Sequence, residues 1–106
     1  MGDEIVVTVR KTHGACIMDL KGDVTSFSEQ AIKDAWNEAV GSGSRQIVLN
    51  FERVQYMNSA GIAILIDLVA EANKTQRRIA LVWQNEHFRK ILKMVGLTRY
   101  ITLYLR

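Results

Sequence analysis

The residues with the clearest chemical potential are Asn58 and Ser59, in the run Val54-Gln55-Tyr56-Met57-Asn58-Ser59-Ala60-Gly61-Ile62. Both side chains carry oxygens favoured at the start of a helix. An apolar run of strand length, Ile47-Val48-Leu49, precedes them, and a helical pattern over Ser59–Lys74 follows. The Ser59 hydroxyl therefore falls where a strand gives way to a helix, the end of a parallel strand at which open α/β sheets commonly carry function. The first amides of a helix lack intrahelical acceptors, and its dipole is positive there. A phosphate on Ser59 would bring about −1.5 to −2 charges at neutral pH, and those amides would stabilise it. Phosphorylation would thus alter a surface without unfolding the domain. By itself the Asn-Ser pair is a weak signal and reads first as an ordinary helix cap.

Other reactive constellations fail. His13, His87 and Cys16 are the only His and Cys residues, too few for a zinc site. Ser59 lacks the G-x-S-x-G context of a hydrolase elbow. No P-loop or G-x-G-x-x-G occurs, and Gly41-Ser42-Gly43 follows a helical pattern instead of a strand. No catalytic residue, metal or cofactor is expected, and the protein should be a substrate of chemistry carried out elsewhere.

The elements that position Ser59 follow from periodicity. Ile5–Arg10 and Ala15–Leu20 read as strands joined by the turn Thr12-His13-Gly14, an antiparallel hairpin ended by Lys21-Gly22-Asp23. Ser26-Phe27-Ser28-Glu29 matches a capping box with Ser26 as N-cap. Ala31, Ile32, Ala35, Trp36, Ala39 and Val40 then recur at helical spacing until Gly41-Ser42-Gly43-Ser44. Gln46–Phe51 is a buried strand, and a loop leads to the Ser59–Lys74 helix. Ile79–Trp83 is another buried strand, and Glu86–Val95 a third helix closed by Gly96. Tyr100–Leu105 fits a short edge strand or a final helical turn. The order is β-β-α-β-α-β-α, a single compact α/β domain with a mixed sheet of four to five strands covered by helices, mainly on one side.

On a wheel, Ile62, Leu65, Leu68, Val69 and Ala72 share the core face of the Ser59 helix. Ala60, Ala63, Asp67, Glu71 and Lys74 lie opposite, and Ile64 falls at the flank of the exposed face. Small residues beside Ser59 leave its hydroxyl accessible. Ile64 is then a candidate partner contact, although a lone exposed Ile needs no explanation.

Composition bounds the rest. The chain has 106 residues, 48% of them apolar, enough for one self-supporting domain. Cys16 lies among Ala15, Ile17 and Met18 and reads as a buried structural thiol. The net charge of +3 is mild and the basic residues are scattered. Nucleic-acid binding is not expected. Arg77-Arg78, the only adjacent pair of arginines, reads as a solvated loop. The start Met1-Gly2-Asp3-Glu4 is acidic, unlike a signal peptide. Val6 breaks the myristoylation pattern of Gly2. Gly61–Leu68 is too short to span a bilayer. A cytoplasmic location is the expectation.

The segment Tyr56-Met57-Asn58-Ser59-Ala60-Gly61-Ile62 resembles the Asp-Ser-(Ser/Ala)-Gly-(Leu/Ile) signature of STAS-domain anti-sigma factor antagonists. The similarity runs over nearly the whole chain and takes in the opening hairpin, Gly22-Asp23-Val24, the Ile47–Phe51 strand and Val95-Gly96-Leu97. It implies one STAS domain over residues 1–106. It also implies a phosphoacceptor at Ser59, modified by an anti-sigma factor serine kinase, a histidine-kinase-like ATPase, and restored by a phosphatase. The unphosphorylated form would bind the kinase and free a sigma factor. The family's kinase-binding face maps onto Gly22, Asp23, Val24 and Thr25, together with Asn58, Ser59 and Ala60. Asn58 replaces the usual Asp, keeping its shape and losing its charge. Ala60 leaves Ser59 the only acceptor in the signature. A constitutive assembly module without a phosphate cycle, such as a transporter-associated subunit or a signalling scaffold, is the alternative.

Overall fold

The computed structural model describes residues 4–83 and 85–104. The expectations drawn from Met1-Gly2-Asp3 and from Leu105 lie outside the described residues. The elements run β1 (Val6–Thr12), β2 (Ala15–Val24), a 3-10 turn (Ser26–Ser28), α1 (Glu29–Gly41), β3 (Gln46–Met57), α2 (Ser59–Lys74), β4 (Arg78–Val82), α3 (Glu86–Met94), a second 3-10 turn (Leu97–Arg99) and β5 (Ile101–Tyr104). They form one five-stranded sheet in the order β1-β2-β3-β4-β5, the first pair antiparallel and the others parallel.

Strand register explains the core. Cys16, Ile47, Ile79 and Ile101 stand side by side across the four parallel strands, as do Met18, Leu49, Leu81 and Leu103. All but Leu103 are buried, Cys16 completely. Alternation puts this row on one face of the sheet. Ile32, Ala35, Trp36 and Ala39 of α1, Leu65, Leu68, Val69 and Ala72 of α2, and Phe88 and Leu92 of α3 join the same core. Phe88 stacks on Trp83 with ring centroids 4.8 Å apart, and Trp83 meets Phe51 edge-on at 5.1 Å. The Trp83 indole N–H donates to the Val54 carbonyl at 3.2 Å, so this large ring is buried without an orphaned donor. The other face is half exposed and carries the polar pair Asp19 and Asn50.

Several boundaries differ from the expected ones, each for a visible reason. β2 does not end at Lys21-Gly22-Asp23 but runs to Val24, accommodated by irregularities between Asp19 and Lys21 and between Gly22 and Asp23. Gly22 sits at φ +115°, where a Cβ would stand 2.7 Å from the Glu4 carbonyl oxygen. Only glycine lets the chain before β1 pass this closely. β3 likewise continues past Phe51 to Met57, because the extended β2 offers it a partner as far as Val24. The expected loop before α2 shrinks to Asn58. The tail takes the strand alternative and pairs in parallel with β4. Arg78 belongs to β4, so Arg77-Arg78 is not a free loop.

Gly61 sets how α2 leaves the sheet. A Cβ there would run into the Val24 carbonyl oxygen and stand 2.6 Å from Met57 Cγ. The first turn of α2 therefore lies directly on the backbone at the end of β2. Gly61→Ala should cost roughly 1–3 kcal/mol by overpacking, read as a lower urea midpoint with an unchanged slope; an unchanged midpoint would show that the contact is slack.

On the half-exposed face, Asp19 accepts from Arg10 Nε at 2.6 Å and Nη2 at 3.3 Å, and from Asn50 Nδ2 at 2.8 Å. The Arg10 hydrogen bond, more than the attraction of Arg53, holds the Asp19 carboxyl below its ordinary 3.8. A depressed carboxylate contributes stability above that ordinary value and loses it as pH falls through the folded-state value. Asp19→Asn should therefore be slightly less stable than the parent at pH 7, the pair being exposed. The gap should close below about pH 3.8. Urea midpoints from pH 7 to pH 3 that kept the gap constant would contradict this.

Candidate functional site

The carboxyl ends of β2 and β3 and the amino end of α2 meet at one oxygen. The Val24 carbonyl accepts the Asn58 N–H at 3.2 Å and lies against Gly61. Asn58 is extended at φ −97° and ψ −174°, and its Oδ1 accepts the Gly61 N–H at 3.0 Å. Its own carbonyl accepts the Ile62 N–H at 3.0 Å. Asn58 is thus a complete N-cap, a role that needs a side-chain oxygen and no charge. Ser59, the first residue of α2, is exposed, and its hydroxyl has no hydrogen-bond partner among the described residues. The amides of Ser59 and Ala60 belong to the first turn and have no intrahelical acceptor.

Beside this junction the 3-10 turn is locked by a reciprocal pair. The Phe27 N–H donates to Thr25 Oγ1 at 3.2 Å, and the Thr25 N–H donates to Ser28 Oγ at 3.0 Å. The Ser28 hydroxyl then donates to the Asp23 carbonyl at 2.8 Å, tying the turn to β2. The N-cap is therefore Thr25 and not Ser26, and Ser28 takes the place expected for Glu29. Locked this way, the turn holds the Phe27 side chain 95% exposed. Phe27, Asn58 and the half-exposed Tyr56 border an open groove of about 660 Å³, with the acids Glu4 and Asp23 on its wall.

Of the residues expected at a partner surface, the structure gathers Asp23, Thr25, Asn58, Ser59 and Ala60 at this end of the sheet. Gly22 and Val24 are buried within β2, where they act through backbone geometry. Ile64 is 4% exposed and packs in the core with Leu65 and Leu68, so it offers no contact. Its expected place at the flank assumed a single covered face, but α2 is covered along two sides, by the sheet and by α1. Ile66 is the exposed isoleucine of α2, and Ile62 is only half buried. Phe27 and Tyr56 were not singled out in the sequence. The available signal was an aromatic residue in the polar run Thr25-Ser26-Phe27-Ser28-Glu29, outside the apolar stripe of α1.

Chemically, the arrangement offers an unengaged hydroxyl next to free helix amides and an aromatic-edged groove. Among the described residues no cluster of metal-ligating side chains exists, and no base holds the Ser59 hydroxyl. No helix among them is long and apolar enough to cross a membrane.

The chain is similar to known proteins in sequence and in fold. The chain is 25% identical over 99 residues to the anti-sigma-F factor antagonist RsfB of Mycobacterium tuberculosis, covering 82% of this chain and 81% of that one. Its fold matches an anti-sigma factor antagonist from Mycobacterium paratuberculosis at a TM-score of 0.81 and 20% identity, over 95% of this chain and 86% of the other. It also matches the Bacillus cell fate determinant SpoIIAA in its phosphorylated form, at a TM-score of 0.71 and 21% identity, over 93% and 91% of the two chains. These names are those of binding proteins and not of enzymes. A model of the STAS domain matches residues 6–106, and the chain therefore belongs to the STAS domain family.

Proposed function

We propose that this protein is an anti-sigma factor antagonist that switches by phosphorylation of Ser59. The observation that carries the reading is the exposed, unengaged Ser59 hydroxyl on the first turn of α2, next to the Phe27–Tyr56 groove. The name of RsfB and the phosphorylated form of SpoIIAA support it. In the unphosphorylated state the groove and the first turn of α2 bind an anti-sigma serine kinase of the histidine-kinase-like ATPase type, in the cytoplasm, and the sigma factor is freed. Transfer of the γ-phosphoryl group of ATP to Ser59 Oγ releases ADP and the hydroxyl proton. The new dianion is held by the first amides of α2. It also stands on the same end of the sheet as the carboxylates of Glu4 and Asp23, so the kinase meets bulk and charge where it had met a hydroxyl. A phosphatase hydrolyses the ester and resets the surface. Asn58 fits this scheme as a cap. Its lack of charge is also what a constitutive assembly module would tolerate, and the two readings separate experimentally.

Incubation with the cognate kinase and ATP should add one phosphate, mapped to Ser59 by mass spectrometry and absent in Ser59→Ala. Modification that persists in Ser59→Ala would remove the assignment. A co-purifying complex untouched by Ser59→Asp would favour the assembly module. The Phe27 ring buries almost nothing in the free protein. Phe27→Ala should therefore leave the melting temperature unchanged and weaken kinase binding at least tenfold, as expected for an aromatic anchor. Equal affinities by calorimetry would place the partner surface elsewhere.

A further inference from the structure

The end of the sheet opposite Ser59 holds a cluster of cations that the switch does not use. α2 closes with Gln76 in the left-handed region at φ 58°. The Arg77 N–H reaches back to the Ala72 carbonyl at 2.8 Å and the Gln76 N–H to the Asn73 carbonyl at 3.4 Å. This is a Schellman closure, and it turns Arg77 under the helix. Arg78 opens β4 just before Ile79, which pairs with Ile101 of β5, and Arg99 and Tyr100 lead into that strand. The three arginines, Asn73 and Tyr100 surround an open cavity of about 230 Å³ floored by Val69 and Ala72.

No carboxylate lines this cavity. Three cations elsewhere pair with acids, Arg10 with Asp19, Lys33 with Glu29 and Arg89 with Glu86. Among the described residues Arg77, Arg78 and Arg99 have no ion pair. Arg77 Nε is moreover fully buried and has no hydrogen-bond partner. A buried N–H of a charged group left unmatched is costly, and native structures seldom leave one so. The carbonyls of Glu71, Ala72 and Asn73, which would repel an anion, are already occupied by the amides of Thr75, Gln76 and Arg77. Arginines lining one cavity without acids suit the oxygens of a tetrahedral oxyanion, which guanidinium N–H donors can bind in pairs.

We propose that Arg77, Arg78 and Arg99 form a binding site for a phosphate group, free or as the end of a small phosphate monoester. It is distinct from Ser59, lying at the amino ends of the parallel strands, and does not depend on how Ser59 is used. Titration of the full chain with inorganic phosphate, followed by amide NMR at constant ionic strength set with chloride, should give saturable shifts centred on residues 73–78 and 97–100. Arg99→Gln, an exposed change that should fold normally, and Arg78→Gln should each weaken binding about tenfold or more, as loss of a charge-assisted bond implies. Ser59→Ala should bind like the parent. Competition with glycerol phosphate identifies the source: displacement of phosphate at lower concentration names the monoester, and none names the free ion. Shifts that fail to saturate, that chloride reproduces, or that persist unchanged in both arginine variants would overturn the site.

Discussion

The Val24 carbonyl oxygen is the point on which this molecule turns. It ends β2, receives the amide of Asn58 and is met at close range by Gly61. Remove the room that glycine provides and α2 cannot lie against the sheet at this angle. Ser59 would then be aimed elsewhere, and the core residues Leu65, Leu68 and Val69 would lose their register against β3 and β4. One backbone contact thus joins the placement of the hydroxyl to the packing of the longest helix. The helix cap repeats the logic on a smaller scale: the Asn58 side chain satisfies Gly61, leaving the amides before it available to an anion.

Much of this was legible in the amino-acid order. The span Ser59–Lys74 is a helix to the residue, because a strong cap begins it and a sustained apolar stripe carries it. Ile79-Ala80-Leu81 is a buried strand segment, as a continuous apolar run implies, whereas in Ile47-Val48-Leu49 the central Val48 lies half-buried on the uncovered face; Cys16 is a core thiol. The family resemblance seen at Asn58-Ser59-Ala60-Gly61 is matched by the family that the chain belongs to.

What the sequence hid is mostly tertiary. Glu52, Arg53 and Gln55 look like loop residues, yet they extend β3 because β2 supplies ladder partners beyond the point where hydrophobicity stops. Gly22 looks like a stop and is a bulge, since its meaning comes from Glu4, far away in sequence and close in space. Ile64 was misplaced because a helical wheel knows one covered face and α2 has two. Phe27 escaped notice for the opposite reason: its exposure is enforced by the hydrogen bonds of Thr25 and Ser28, which no hydrophobic pattern records.

The sheet is stacked in the order in which the ribosome delivers it, β1 beside β2, β2 beside β3, and so on to β5. Each strand therefore finds its neighbour already synthesised and never waits for a later one to be inserted between them. Loop closures stay short, and the search cost of bringing distant segments together is small for a largely parallel fold. The chain can add one hydrogen-bonded edge at a time, and the junction of β2, β3 and α2 at Ser59 draws on neither of the last two strands.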